Sequence, residues 1–259
     1  MTLALFRQNA ALVAGLMTVL WMLSVARRDA SIVDPWWSMA FLVVTSHTVA
    51  STGLTPAKEL LLVMVAIWAI RLWLHLLLRN RGKPEDPRYS AFRQRYGPAR
   101  YWWISLFQVF LLQAGLVVLI SAPLQLAASA RPPDPIGTTS LAGLLLFSIG
   151  FAIEAVADHQ LQAFRNDTSH RGQVLAVGLW RFSRHPNYFG EALLWWGFGL
   201  FALGQPYGWI CLLGPLAMTV LLVKVSGVAM LDAHLAATKP AYRDYIRRTS
   251  AFVLWPPQA

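Results

Sequence analysis

A chain of 259 residues with a single cysteine, Cys211, can close no disulfide within itself. Charge is scarce too. Asp, Glu, Lys and Arg make up 13% of the residues, and acids are the rarer sign, 12 against 22 bases. The strings GxGxxG and GxxxxGKS or GxxxxGKT are absent, so neither a Rossmann nor a P-loop domain is there to hold a nucleotide. Internal repeats and low-complexity tracts are missing, which sets aside repeat architectures and compositionally disordered chains. Uncharged stretches, by contrast, are abundant. With 56% of its residues hydrophobic, the chain is too apolar for a soluble domain of this length and reads as a polytopic membrane protein.

Seven apolar segments approach the roughly 20 residues that a helical span requires. They lie near 10–26, 31–51, 57–79, 103–121, 139–162, 187–204 and 208–231. Backbone groups in hydrocarbon must pair within the segment, so the expected fold is all-α, a seven-helix transmembrane bundle in a single domain over 1–259. Seventeen of the 22 basic residues follow the first, third, fifth and seventh segments, against Arg7, Lys58 and Arg131 on the opposite side. The positive-inside rule then predicts an N-terminus outside and a cytoplasmic C-terminus, in a bacterial inner membrane. This placement accounts for the net charge of +10 without any nucleic-acid partner. The first apolar run lacks a small-residue cleavage site and reads as a span, not a cleaved signal. The stretch ARPPDPIGTTS, 130–140, reads as an outside loop. The tail from Asp232 mixes bases with Tyr242, Tyr245, Phe252 and Trp255 and reads as an interfacial helix or a lid.

A charge at mid-bilayer costs roughly 2.5–3.5 kcal/mol even on the lenient insertion scale, so each one within a span needs a reason. The third segment carries Arg71, His75 and Arg79 on one stripe. The fifth carries Glu154 and Asp158, with Arg165 two turns further on, and the sixth carries Asn187 and Glu191. Asp34 opens the second. Taken singly, each has a plain reading. Arg79 and Arg165 can be interface anchors, Asp34 a helix cap before Pro35, His75 a packed histidine and Lys224 a snorkelling base. The tryptophans Trp36, Trp37, Trp195 and Trp196 suit belt or packing roles. Taken together, the acids and bases all fall toward the cytoplasmic half and predict one polar cavity.

Two cytoplasmic stretches, RNRGKPEDPRY at 79–89 and GLWRFSRHPNYFGE at 178–191, interleave Arg, Lys and His with aromatics. Guanidinium groups bind phosphate bidentately. Ser183 is placed to cap the sixth helix and Pro186 suits its first turn, so its N-terminus reads as an anion-binding helix start above Asn187 and Glu191.

These residues carry a resemblance. RHPNYFGE preceded by GLW, with EDPRY after the third segment, resembles the steroid 5α-reductase family and its bacterial relatives. The similarity covers roughly 60–255 and is clearest over 150–200, in the C-terminal-like region of that family at about 100–259. Isoprenylcysteine carboxyl methyltransferases and sterol reductases carry strings similar to RHPNY. The Asn and Glu four apart, Asp158, Arg165 and NRGKP favour the reductases. The resemblance implies a seven-helix bundle that holds NADPH in a cytoplasm-facing cavity and reduces lipophilic enones such as 3-oxo-Δ4 steroids. It implies that Glu154, Asp158, Arg165, Asn187 and Glu191 line the cofactor, although Glu154 stands where the family has an Asn. Arg79, Lys83, Arg88, Arg181 and Arg184 become candidates for the phosphates, with His185 and Tyr188 beside them. The family's Gln-Glu pair on the second helix has Val33-Asp34 as its counterpart here, so the acid survives and the amide does not. The family's tyrosine on the third helix falls near Trp68, which leaves His75 or Tyr89 to take its place.

The expected chemistry is hydride addition to the β-carbon of the enone, with a protonated Asp34 or a partner bonded to the carbonyl oxygen. No metal is expected. The partners are a lipophilic substrate and membrane lipid. Two other readings stand beside it: an S-adenosylmethionine-dependent membrane methyltransferase of the isoprenylcysteine type, and a lipid-binding scaffold that is not an enzyme.

Overall fold

The computed structural model describes residues 2–132, 134–225 and 228–258. Among the described residues there is no strand. The helices are α1 (Leu3–Arg27), α2 (Val33–Thr52), α3 (Pro56–Asn80), α4 (Pro87–Tyr96), α5 (Pro98–Ser105), α6 (Leu112–Ile120), α7 (Ala122–Ala128), α8 (Thr138–Asn166), α9 (Pro186–Leu203), α10 (Leu213–Val220), α11 (Val228–Thr238) and α12 (Pro240–Arg248). A π-helical stretch, Leu106–Leu111, joins α5 to α6 in one rod.

Five helical rods are long and apolar enough to cross a membrane: Leu3–Arg27, Pro56–Asn80, Pro98–Ile120, Thr138–Asn166 and Gly208–Val225. Their exposed faces are apolar. On α3, Val63, Ile67, Ile70, Leu74 and Leu78 are all exposed at helical spacing, and on α8 so are Leu141, Leu145 and Ile149. Stripes of this kind need a non-aqueous cover, and a bilayer supplies it, so this is an integral membrane protein. The other two segments read from the sequence as spans, 31–51 and 187–204, are helical as α2 and α9 but are not in this set of five. Their polar starts lower their hydropathy, and eleven of the 18 residues of α9 are buried. Residues 226 and 227 of the segment read as 208–231 lie outside the described residues.

The chain divides into two compact units, Met1–Ile136 and Gly137–Ala259. In the first, α2 packs on α1 and α3, and α1 also packs on the α5–α6 rod. Its core is not purely apolar. Asn9, fully buried on α1, donates through Nδ2 to Thr48 Oγ1 and Gln125 Oε1, both at 2.9 Å, and its Oδ1 lies 2.7 Å from His47 Nδ1. This buried network ties three helices together at one register. Lys58, counted from the sequence among the bases of the outside face, is buried. Its ammonium donates to Thr52 Oγ1 at 2.9 Å and to the Gly53 carbonyl at 3.0 Å, closing the C-terminus of α2 where the helix dipole favours a cation.

In the second unit α8 and α9 run antiparallel in backbone contact. A Cβ on Gly150 would meet Leu194 N at 2.4 Å, and one on Gly190 would meet Glu154 N at 2.5 Å. One turn pair away, a Cβ on Gly197 would meet Phe147 N at 2.6 Å, and one on Gly143 would meet the Gly197 carbonyl at 2.6 Å. Only glycine permits this approach, the small-residue packing typical of membrane helices. It sets Glu154 and Asp158 of α8 against the first turns of α9.

Candidate active site

The EDPRY segment is a helix start. Asp86 accepts from Arg88 N at 2.9 Å and Pro87 occupies the first turn, where its missing N–H costs nothing. The same segment grips the chain ahead of α2. Asp86 N donates to Ser31 Oγ at 2.8 Å. Glu85 accepts from Ala30 N at 2.8 Å and bidentately from Arg93, at 2.8 and 2.9 Å. With both anchors in place, Arg88 and Tyr89 reach the first turn of α2. Tyr89 Oη donates to Asp34 Oδ1 at 2.6 Å, and Arg88 Nη2 donates to Asp34 Oδ2 at 2.8 Å. Gln113 Nε2 lies 3.4 Å from the same phenol oxygen.

Two of the three catalytic candidates, Asp34 and Tyr89, are therefore one pair. Asp34 is not a cap: α2 begins at Val33, and no side chain caps it. Both Asp34 oxygens are thus engaged, one by Arg88 and the other by Tyr89. Burial, then the Asp34 charge, raises this phenol well above its ordinary pKa, so it stays protonated across the physiological range. Burial pushes the Asp86 carboxyl up, but the hydrogen bonds and charge of Arg88 outweigh it and leave the group below its usual value. The third candidate, His75, is half-buried on α3. Trp68, the position matching the family's tyrosine, is fully buried with its ring 5.7 Å from that of Phe41, edge to face.

In the second unit Asn187 donates through Nδ2 to Asp158 Oδ1 at 3.1 Å. One turn on, Glu191 accepts from Trp195 Nε1 at 3.2 Å. Glu154, Asp158 and Glu191 are all buried. The Asn and Glu spaced four apart thus face α8 across the glycine contact. The GLW turn before them is tied down as well. Gly178 takes a positive φ of 61°, where an added Cβ would collide with the Gln160 side chain. Leu179 N donates to Gln160 Oε1 at 3.0 Å, and Trp180 Nε1 donates to the Ala157 carbonyl at 3.1 Å.

Arg184 and His185 turn elsewhere. Arg184 donates from Nε and Nη2 to Asp232 Oδ2, at 3.1 and 2.7 Å, and from Nη1 to the carbonyls of Ile246 and Thr249, at 3.0 and 2.6 Å. His185 Nε2 lies 2.9 Å from Asp232 Oδ1, and Tyr242 Oη donates to the same oxygen at 2.6 Å. Tyr245 donates to the Trp180 carbonyl. Backbone bonds follow, Arg184 N to Ser250 O at 2.9 Å and Trp255 N to Phe182 O at 3.0 Å. This is a clamp that lays the tail over residues 181–185. Burial works to raise the Asp232 carboxyl, yet the bonds from His185, Arg184 and Tyr242 hold it far below the usual range. Ser183, expected to cap α9, instead donates to the Phe252 carbonyl at 2.8 Å and accepts from His185 N at 3.1 Å, and no side chain caps the helix. Tyr188 stacks on His185 with ring centroids 5.6 Å apart.

The phosphate candidates therefore divide. Arg88 and Arg184 are bound to carboxylates. Arg79, Lys83 and Arg181 are exposed, with Arg79 bonded to its neighbour Asn80; Arg165, expected along the cofactor, is exposed as well. Among the described residues no group of three or more His, Cys, Asp or Glu side chains is placed to hold a metal ion. Asp232, Asp86 and Gln113 escaped the sequence reading. Asp86 had a local signal, the Asp-Pro pair of a helix start. Asp232 had none, being 47 and 48 residues from its partners.

A family model described as "Protein of unknown function (DUF1295)" matches residues 20–249. The chain belongs to this family. The DUF1295 match takes in Asp34, Arg88 and Tyr89 as well as Asp158, Asn187 and Asp232. The uncharacterized protein C594.04c of Schizosaccharomyces pombe is 30% identical over 213 residues, covering 71% of this chain and 60% of that protein. This DUF1295 chain thus spans about 60% of the length of the curated relative it matches. No solved structure matches it.

Proposed function

We propose that the chain is a membrane-embedded, NADPH-dependent reductase of an enone C=C bond, of the steroid 5α-reductase type, acting on a 3-oxo-Δ4 steroid or a similar lipophilic enone. The observation that carries this reading is the pair formed by Tyr89 and Asp34, 2.6 Å apart and neutralised by Arg88. A phenol kept protonated beside a fixed carboxyl group is a donor suited to an enone carbonyl oxygen. It fills the role left open when Trp68 replaced the family's tyrosine.

The residues of the second unit fit the nicotinamide end of the cofactor. Asn187 Oδ1 is buried and has no hydrogen-bond partner among the described residues, while its Nδ2 is held by Asp158. An acceptor fixed in that way suits a carboxamide N–H. The exposed cations Arg165 and Arg181 of the same unit suit phosphates. When bound, NADPH supplies the hydride that the β-carbon receives. The chain's own residues do the rest. As the C=C π pair moves toward the carbonyl oxygen, a protonated Asp34 donates to Tyr89 Oη, which leaves the one Tyr89 O–H to meet the developing charge. Arg88 holds Asp34 in place, and the α-carbon then takes one proton from the site or from water. The products balance as a saturated ketone and the oxidised cofactor.

The test is thermal stability of the detergent-purified protein with NADPH, NADH or S-adenosylmethionine. A ligand at about 100 times its Kd stabilises the folded state by about 2.7 kcal/mol, a clear rise in midpoint. A rise with NADPH is expected, followed by loss of nicotinamide absorbance with a 3-oxo-Δ4 steroid. A rise with S-adenosylmethionine alone would replace the reductase with the methyltransferase.

A further inference from the structure

The first unit carries a groove that the reductase reading does not use. It begins at the end where α1 starts and α2 finishes, as a cavity of about 450 Å³ lined by Thr2, Gln8, Ser51, Ser129 and Arg131. It continues as a cavity of about 590 Å³ lined by Gln8, Ala11, Leu12, Gly15, Leu16 and His47. Gln8 borders both. Along α1 and its cap Thr2 the lining positions fall at 2, 4, 5, 8, 11, 12, 15 and 16, one helical stripe about 20 Å long. One end of this stripe is polar, with hydroxyls and one guanidinium. The other is apolar and open, since a Cβ built on Gly15 meets nothing within 4 Å.

His47 stands beside this groove with its ring orientation set from behind. Asn9 Nδ2 donates to two oxygens, so Asn9 Oδ1 is the acceptor facing His47, and His47 Nδ1 is the donor. In the neutral imidazole this leaves Nε2 as an acceptor. Among the described residues Nε2 has no partner, and His47 lines the groove. A ligand here needs an anionic oxygen for Arg131, a hydroxyl or N–H for His47, and a chain for the apolar end.

We propose that this groove is a binding site for an anionic glycerolipid whose headgroup carries free hydroxyls, seated with its phosphate toward Arg131 and one acyl chain along Ala11–Leu16. The glycine at position 15 leaves room for the chain, and the Asn9 network makes His47 an acceptor for the head. The site belongs to the first unit alone and is independent of the reductase reading.

The experiment measures binding of dioleoyl-phosphatidylglycerol to the detergent-purified full chain by native mass spectrometry and by the shift in thermal midpoint. Dioleoyl-phosphatidylcholine and soluble glycerol phosphate are the comparisons. Phosphatidylglycerol is expected to bind about ten-fold more tightly than phosphatidylcholine, and Arg131→Gln to remove that preference. Gly15→Leu fills open space on a helix, so it leaves the fold intact while weakening the lipid by about ten-fold. His47→Gln weakens it less. The proposal fails if phosphatidylcholine binds equally, if neither Arg131→Gln nor Gly15→Leu changes affinity, or if glycerol phosphate binds as well as the lipid. That last result would make the site one for a free anion.

Discussion

Two aspartates in this molecule gather the same kinds of partner to different ends. Asp34, in the first unit, accepts from Tyr89 and Arg88. Asp232, in the second, accepts from Tyr242, Arg184 and His185. What separates them is access. The Arg88 side chain is 38% exposed, whereas those of Arg184 and His185 are 10% and 4% exposed. Arg184 also gives donors to two backbone carbonyls of the tail. In the first cluster the guanidinium is partly open, while the phenol is buried as Tyr242 is in the second. The second is a closed knot that joins residues 181–185 to the tail. An Arg, a Tyr and an Asp near each other are thus not a site by themselves. How far the surroundings enclose the cation separates the two.

Breaking the knot should have the largest effect. Asp232→Ala leaves the buried Arg184 and His185 without their acceptor and should cost about 3–5 kcal/mol. Thermal unfolding in detergent, together with proteolysis of the tail after residue 249, would register it. A variant that melts like the parent would remove the distinction between the two clusters.

The corresponding change in the first unit should act on chemistry. Tyr89→Phe removes the proton and should lower turnover by about 10²-fold, with NADPH affinity unchanged and only a small drop in midpoint. Asp34→Ala should match it in turnover. Asn187→Ala should do the reverse, weakening NADPH binding first. Full activity in Tyr89→Phe would reduce the first cluster to a structural one, like the second.

Gly190→Ala tests the close helix contact that supports Asn187 and Glu191. The added Cβ has backbone 2.5 Å away, so the helices must part, at a cost of about 1–3 kcal/mol. The melting midpoint measures it, and Gly15→Ala in open space provides the contrast.

The smallest effect is in pH. Asp232 has a depressed pKa, so its contribution is complete above the ordinary carboxylate value, about 3.9, and fades only as pH falls through its far lower folded value. Tyr242 has a raised pKa, caused first by burial and then by its bond to Asp232. Its contribution is complete below about 10 and fades as pH rises through the higher folded value. The clamp should therefore hold the midpoint level between about pH 4 and 10. Asp232→Asn should lower that plateau and flatten its acid edge.

Much of the fold was legible in the residues. Each of the seven apolar segments is helical over its described residues, because the long uncharged runs admit no other way to pair their backbones. Span number was less legible: α2 and α9 carry Asp34, Asn187 and Glu191 among packed residues, so a lipid-facing pattern and a protein-facing one overlap there. Within the candidate site, a shared polar setting for Asp158 and Asn187 followed from their places on two helices. The bond from Tyr89 to Asp34 did not, because it depends on Glu85 and Asp86 seating α4 against residues 30 and 31, more than fifty positions away.

The sequence by itself determined that this chain is helical and apolar enough for a membrane, and that its scarce acids sit in a few polar positions. Hydropathy and backbone hydrogen bonding are local properties that each segment carries alone. Only the tertiary structure decided which cation meets which carboxylate. Arg88 and Arg184 look alike as letters beside aromatic neighbours, but a contact made across 48 or 54 residues depends on how helices dock, and docking is a property of the whole fold.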